Sequence, residues 1–327
     1  MLVFILSRLL QAIPVLLAVG VIAFSMFRYV GDPVSGMLGQ DYTDAQRTAL
    51  IHRLGLDQPA YVQFGHYVWA ALHGNFGYSY RIAEPVATLF ATRLPATLEL
   101  SITASVLSVV VGIPLGVYAG IWRRSWLSRT FMLTSLIGVS LPTFLIGILL
   151  ILVFSVELGW LPSFGRGHVI QLGWWSTGFL TLSGLRALIL PSITLGLFQL
   201  TLIMRLVRAE MLEVLRTDYI KFARARGLRS RTIHFGHALK NTMVPVITVI
   251  GLQLGGVIAY SLVTETVFQW PGMGLLFIQS VAAADIPVMS AYLMLVGVVF
   301  VVINLVVDLL YYAVDPRLRI GRGGRGA

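Results

Sequence analysis

The run Leu188-Ile-Leu-Pro-Ser-Ile-Thr-Leu-Gly-Leu-Phe-Gln-Leu-Thr-Leu-Ile-Met-Arg-Leu206 carries a single charge, close to its end. As a helix it is long enough to cross the hydrocarbon core of a bilayer. Five further windows of about 20 residues read the same way: Leu9–Phe27, Thr97–Trp122, Phe131–Val156, Val244–Val263 and Val288–Val314. Of the 327 residues, 57 % are hydrophobic and 12 % charged, with a mean hydropathy of +0.84. A soluble domain carries about twice that share of charge. The pattern predicts an all-α polytopic membrane protein with six transmembrane helices.

The net charge of +10 is unevenly distributed. With the N-terminus assigned to the cytoplasm, seventeen of the twenty-four basic residues fall on cytoplasmic segments, nine of them between positions 205 and 240. The excess of Lys and Arg places both N and C termini in the cytoplasm. Charge used in this way sets topology and gives no reason to expect nucleic acid as a partner. All seven Trp lie at or beyond span ends, as an interfacial aromatic belt requires. There is no Cys, so disulfide and thiolate chemistry is excluded. The first apolar run lacks a following small-x-small cleavage pattern, and is expected to be a retained first helix.

Four segments follow: 1–30 with the first span, an extracytoplasmic helical cap over 31–95, a core over 96–314 containing a cytoplasmic loop at 205–242, and a tail over 315–327 rich in Gly and Arg. Within the cap, Thr43-Asp-Ala-Gln46 has capping-box spacing and Gly55 supplies a stop. Pro59 opens a second helix whose Tyr61, Phe64, Val68 and Leu72 share one face.

Enzyme signatures are missing. The chain has no Gly-x-x-x-x-Gly-Lys-Ser/Thr to cradle phosphates, no His-Glu-x-x-His and no Gly-x-Ser-x-Gly, so an intramembrane hydrolase lacks its nucleophile or metal set. Polar groups inside spans are costly and therefore functional candidates. These are Glu99, Gln199, Gln253, and the pair Asn304 and Asp308 at i, i+4. They line a hydrated path for a polar solute, or else they fix helix packing. Gly251, Gly255 and Gly256 suit close helix approach better than a pore.

The loop holds Asp218-Tyr-Ile-Lys-Phe-Ala-Arg-Ala-Arg-Gly-Leu-Arg-Ser230. Thr217 or Asp218 caps a helix over Tyr219–Arg226, and Gly227 ends it. At ~12 Å such a helix is too short to be stable alone in water. Ala223 and Gly227, at i, i+4, form a flat strip for a docking partner, flanked by Arg224 and Arg226. The competing reading is a basic loop that only enforces topology and binds anionic lipid. Ser230 caps a second helix running towards Asn241, with Pro245 opening the next span.

Ala223-Arg-Ala-Arg-Gly227-Leu228 and His237-Ala-Leu-Lys-Asn241 together resemble the EAA loop of ABC-importer permeases in its peptide-permease form. The ordered set continues with Gly31-Asp-Pro33, Leu54-Gly-Leu-Asp-Gln-Pro59, Gly74-Asn-Phe-Gly-Tyr-Ser79, Leu94-Pro-Ala-Thr-Leu-Glu-Leu100, Glu265-Thr-Val-Phe-Gln-Trp-Pro-Gly-Met-Gly274 and Asp315-Pro-Arg317. Nearly the whole chain is similar to the B-type permease subunit of the dipeptide/oligopeptide/nickel importer family. Lys221-Phe222 stands where the general loop has Glu-Ala, Lys240 where it has Pro, and Asn75 at a position often occupied by Asp. The resemblance implies the type I ABC importer permease fold in the bacterial cytoplasmic (inner) membrane. It implies a homologous second permease, two cytoplasmic ATP-binding subunits and an extracytoplasmic solute-binding protein as partners. ATP and Mg would sit on those ATPase subunits, with no cofactor on this chain. Coupling to the ATPase would fall to Asp218, Tyr219, Ala223, Arg224, Ala225, Arg226, Gly227, Leu228 and Leu239. The implied cargo is a short peptide, with a nickel chelate, glutathione or another small solute as alternatives. A proton-coupled secondary carrier using Glu99 and Asp308 is the reading from another class.

Overall fold

The computed structural model describes residues 2–29, 34, 38 and 42–314. The family-like stretches Gly31-Asp-Pro33 and Asp315-Pro-Arg317, and the tail, lie outside the described residues. The described chain forms α1 (Leu2–Tyr29), α2 (Asp44–Leu54), α3 (Ala60–Leu72), α4 (Val86–Ile121), α5 (Trp126–Ser140) and α6 (Thr143–Leu150). A π-helical stretch, Ile151–Glu157, extends α6, and a two-stranded hairpin of β1 (Ile170–Leu172) and β2 (Trp175–Thr177) follows. The remaining helices are α7 (Leu182–Val214), α8 (Asp218–Ala225), a π-helical stretch at Thr232–Ala238 that leads into α9 (Leu239–Val267), α10 (Met273–Ala282) and α11 (Ile286–Val314). They fall into two compact units: Met1–Ala96 with Gln171–Ser176 and Pro271–Val302, and Thr97–Ile170 with Thr177–Trp270 and Ile303–Ala327.

Among the described residues, four helices are long and apolar enough to cross a membrane, and up to six spans result if each of two bent pairs counts as one. The third expected span, Phe131–Val156, is one of those pairs. It bends by 111° between Trp126–Ser140 and Thr143–Glu157. The cause is local. Pro142 has no N–H to continue the helical ladder, and Leu141 before it is extended, at φ −91 and ψ 137. Within the fifth, Thr232–Gln253 and Gly255–Val267 meet at 49°. Pro245 lies inside α9 and does not open it.

In the second unit α7 and α9 pack extensively on each other, and α6 packs on both. The α4–α7 approach is set by Gly112, Gly116 and Gly120 at four-residue spacing. A Cβ on Gly116 would lie 2.6 Å from the Met204 carbonyl oxygen, so only the missing side chain lets the backbones meet. A core of Val117, Ile203, Val207, Met211, Ile220, Ile233 and Val246 ties α8 to the long helices beside it.

In the first unit, Val86, Leu89, Phe90, Met273, Leu276, Val288 and Tyr292 form the core. The capping box of α2 is complete: the Gln46 amide donates to Thr43 Oγ1 at 3.3 Å, and the Thr43 amide to Gln46 Oε1 at 2.9 Å. Gly55 ends the helix at φ 66. On α3 the face that meets α1 carries Phe64 and Tyr67, which contact Phe24 with ring centroids 5.5 and 5.9 Å apart. Tyr61 and Leu72, at the edges of that face, are exposed. Burial raises the Tyr67 phenol above its ordinary pKa. Asp285, fully buried, accepts from Ser79 Oγ and from the Tyr80 amide at 3.2 Å, which fastens the 79–81 turn to the start of α11.

Candidate functional site

Two of the expected path residues come together. Gln199 on α7 and Gln253 on α9 line a cleft of about 220 Å³ with Thr143, Leu195, Phe198, Gly256, Val257 and Tyr260. Thr143 is there because the Pro142 break starts a new helix at that point. Gly256, whose spacing favours helix packing over a pore, lines the cleft. It leaves room beside the Tyr260 ring and Gln253 Oε1, 3.7 and 3.9 Å from where its Cβ would be. Gly251 does serve packing, since its Cβ would meet Val307 Cγ1 at 2.4 Å. No lining residue is charged. Gln199 is only 3 % exposed, and neither its Oε1 nor its Nε2 has a hydrogen-bond partner among the described residues. Leaving both ends of a buried amide unsatisfied is costly unless something else completes them.

The other expected path residues lie elsewhere. Glu99 is fully buried and held by Arg166 Nη2 at 2.5 Å and Nε at 3.0 Å, with the Gly178 amide donating to Oε1 at 3.1 Å. It anchors the 159–178 loop and does not line the cleft. The physical reason is charge: a carboxylate without solvent needs a counter-ion, and Arg166 supplies one. Asn304 and Asp308 are half-buried on α11, away from the cleft lining. A second buried acid was missed by the sequence reading. Glu265 is 0 % exposed and accepts from Thr97 Oγ1 at 2.7 Å and Ser261 Oγ at 3.2 Å. Its signal was available, as an acid at the end of an apolar helix. Trp270 departs from the aromatic belt: it is fully buried, whereas Trp126 is 75 % exposed.

The loop helix, α8, forms where its stop signal indicated. Gly227 adopts φ +77, and its amide donates to the Arg224 carbonyl at 2.9 Å. Thr217 precedes the helix, but its Oγ1 donates to the Val214 carbonyl at 2.6 Å and makes no cap. Asp218 pairs with Lys221 at 2.8 Å on the surface. Of the Ala223/Gly227 strip, Gly227 is exposed with open space around its Cβ position, but Ala223 is not free to dock. Ala223 is buried with Ile220 against Val207, Met211 and Ile233, and Leu239 packs half-buried on the same cluster. At i, i+3, Ile220 and Ala223 are the apolar stripe that anchors so short a helix. What faces outward is Tyr219, Phe222, Arg224, Ala225, Arg226 and Leu228. The Arg226 guanidinium lies 5.8 Å from the Phe222 ring centroid, and Asn241 Nδ2 donates to the Tyr219 hydroxyl at 2.6 Å.

Residues 112–320 match the family described as binding-protein-dependent transport system inner membrane component, and residues 1–101 match the N-terminal region of such membrane components. The chain is 41 % identical to the di/tripeptide transport system permease protein of Pseudomonas aeruginosa, over 98 % of this chain and 99 % of that one. It is likewise 41 % identical to the glutathione transport system permease protein of Escherichia coli K12, covering 98 % and 99 %. The dipeptide transport system permease protein of Alkalihalophilus pseudofirmus is 36 % identical, covering 98 % and 100 %. An inward-facing structure of the MetNI methionine ABC transporter superposes with a TM-score of 0.55 over 69 % of this chain and 96 % of that one, at 20 % identity. That likeness bears on the fold alone, the type I ABC importer permease fold.

Proposed function

Because the chain belongs to the family of binding-protein-dependent transport system inner membrane components, and is a multi-pass protein of that membrane, we propose that it is the permease subunit of an ATP-driven importer of short peptides. With a homologous second permease it forms the path, which receives solute from an extracytoplasmic binding protein. Two cytoplasmic ATP-binding subunits drive it through α8, and this chain hydrolyses nothing itself. The carrying observation is the uncharged cleft between α6, α7 and α9, with the buried, unpartnered amide of Gln199 on its wall. Such a surface suits the uncharged linkage of a solute whose charged termini stay in water. The peptide-permease names of the relatives point the same way.

The assembled complex in liposomes, with binding protein outside and ATP inside, tests this. Uptake of labelled di- and tripeptides is expected, with none when ATP is replaced by a pH gradient. Peptide uptake by this chain alone, driven by a pH gradient, would overturn the reading in favour of a secondary carrier. Uptake of a nickel chelate or glutathione in preference to other peptides would move the cargo within the same assembly type.

A further inference from the structure

We propose that Gln199 reads the peptide bond of the passing solute, its Nε2 donating to the substrate carbonyl and its Oε1 accepting from the substrate N–H. This rests on the peptide reading above and deepens it. A carboxamide presents one acceptor and one donor group at a fixed separation, the complement of a trans peptide unit. Gln199 carries that pair on a side chain 3 % exposed, against the cleft, with both ends unpartnered. A purely structural glutamine at such burial would be tied to a neighbouring carbonyl or hydroxyl. On the same helix the Thr194 hydroxyl is tied in that way, to the Leu190 carbonyl at 2.9 Å, while the smaller buried hydroxyl of Ser192 is not. The other polar groups of the cleft are a second amide, Gln253, the phenol of Tyr260 and the hydroxyl of Thr143; Leu195, Phe198 and Val257 supply apolar wall. No charge on the lining can pair with a terminal ammonium, a terminal carboxylate or a metal ion. What is recognised here is therefore the neutral linkage common to all peptides, and side-chain identity is left to apolar contact.

Two substitutions and two solutes form the test. A dipeptide and its ester analogue, in which the linking N–H becomes oxygen, are each presented on saturated binding protein to the assembled complex in liposomes. The binding protein is the same for every variant, so a change in the amide-to-ester uptake ratio belongs to this chain. The natural chain is expected to favour the amide by about 5- to 10-fold, the worth of one hydrogen bond to a well-formed site. Gln199→Met, which keeps the volume and removes both hydrogen-bonding groups, is expected to bring the ratio to about one. It is also expected to leave the melting temperature of the complex unchanged or raised, since an unsatisfied buried amide has been removed. Gln199→Glu keeps an acceptor, loses the donor and adds a charge, and is expected to lower uptake of both solutes. An unchanged ratio in Gln199→Met would overturn the proposal. So would failure of that variant to assemble, which would show the amide to be structural. No peptide uptake by the natural complex is a different result, and refutes the cargo reading itself.

Discussion

Arg166→Met isolates what the buried ion pair contributes. Glu99 is 0 % exposed and the Arg166 side chain 6 %, so neither charge has solvent to fall back on. Removing the guanidinium leaves the carboxylate with the Gly178 amide as its remaining described donor, at 3.1 Å to Oε1 and 3.4 Å to Oε2. Breaking a buried pair from one side costs about 3–5 kcal/mol. At about 1.4 kcal/mol per decade, local opening of the 159–178 loop should become on the order of 10²- to 10³-fold more frequent. Hydrogen exchange of the Gly178 amide in the purified assembly reads that opening directly. The double variant Glu99→Met/Arg166→Met replaces both charges with apolar volume. It should recover most of the protection, short of the ~1–3 kcal/mol for a Gly178 N–H left without an acceptor. Unchanged exchange in Arg166→Met would refute the reasoning. A double variant less protected than the single would also refute it, because the pair would then be favourable beyond its mutual compensation.

Four further perturbations follow from packing and backbone geometry. Gly251→Ala places a methyl 2.4 Å from Val307 Cγ1 and should cost about 1–3 kcal/mol in the melting of the purified complex, with Val307→Ala restoring most of it. Gly116→Ala should cost at least as much with no such rescue, since the obstacle includes the Met204 carbonyl oxygen at 2.6 Å. Trp270→Ala should lose about 3–5 kcal/mol from a fully buried position, while Trp126→Ala, 75 % exposed, should move stability by less than ~0.5 kcal/mol; a thermal-shift comparison of the two separates core from belt. Gly227 has open space around its Cβ position, so only its φ of +77 resists substitution. Gly227→Val should lower ATP-driven uptake through a strain of about 1–2 kcal/mol, and Gly227→Asn, which tolerates that conformation, should retain it.

The long spans were legible because twenty apolar residues in a row admit few other readings. Their breaks were less so. Pro142 was in plain view, yet an apolar window weighs composition and is blind to the direction a helix takes after losing one amide. Gly112, Gly116 and Gly120 are regularly spaced and could have been found by their period. Gly251, Gly255 and Gly256 do not sustain such a period, and Gly256 lines the cleft. Arg166 stands in the sequence as one more loop charge. Nothing local distinguishes it, because its partner is 67 positions away and the pairing exists only once the loop is folded back. Gln199 and Gln253 were found by cost alone, as polar groups in apolar helices. Glu99 was found by the same rule and has a different answer, since a charge must be paired where an amide can wait for a ligand.

In the proposed docking role, the eight residues of α8 carry two demands that the sequence pattern merges. A helix of two turns cannot hold itself together in water, so one stripe must be anchored to the fold. Ile220 and Ala223 supply it, at 0 % and 9 % exposure. The stripe left for a partner is then fixed by helical period: Tyr219, Phe222 and Arg226 at i, i+3, i+7, the last two already stacked. An aromatic ring 64 % exposed beneath a guanidinium is suited to an apolar groove with a carboxylate rim. Docking and folding therefore separate by position. Phe222→Ser should lower ATP-driven uptake and ATPase association by about tenfold, the loss of ~1.4 kcal/mol at an aromatic contact, while the melting temperature of the isolated permease pair holds. Ala223→Leu should do the reverse, forcing extra volume into the cluster and lowering that melting temperature by a strain of about 1–3 kcal/mol before any effect on association. ATPase association measured by pull-down with the purified permease pair decides it. If Phe222→Ser binds the ATPase normally and Ala223→Leu melts normally but does not bind, the partner meets the other stripe, and the assignment of faces on α8 is wrong.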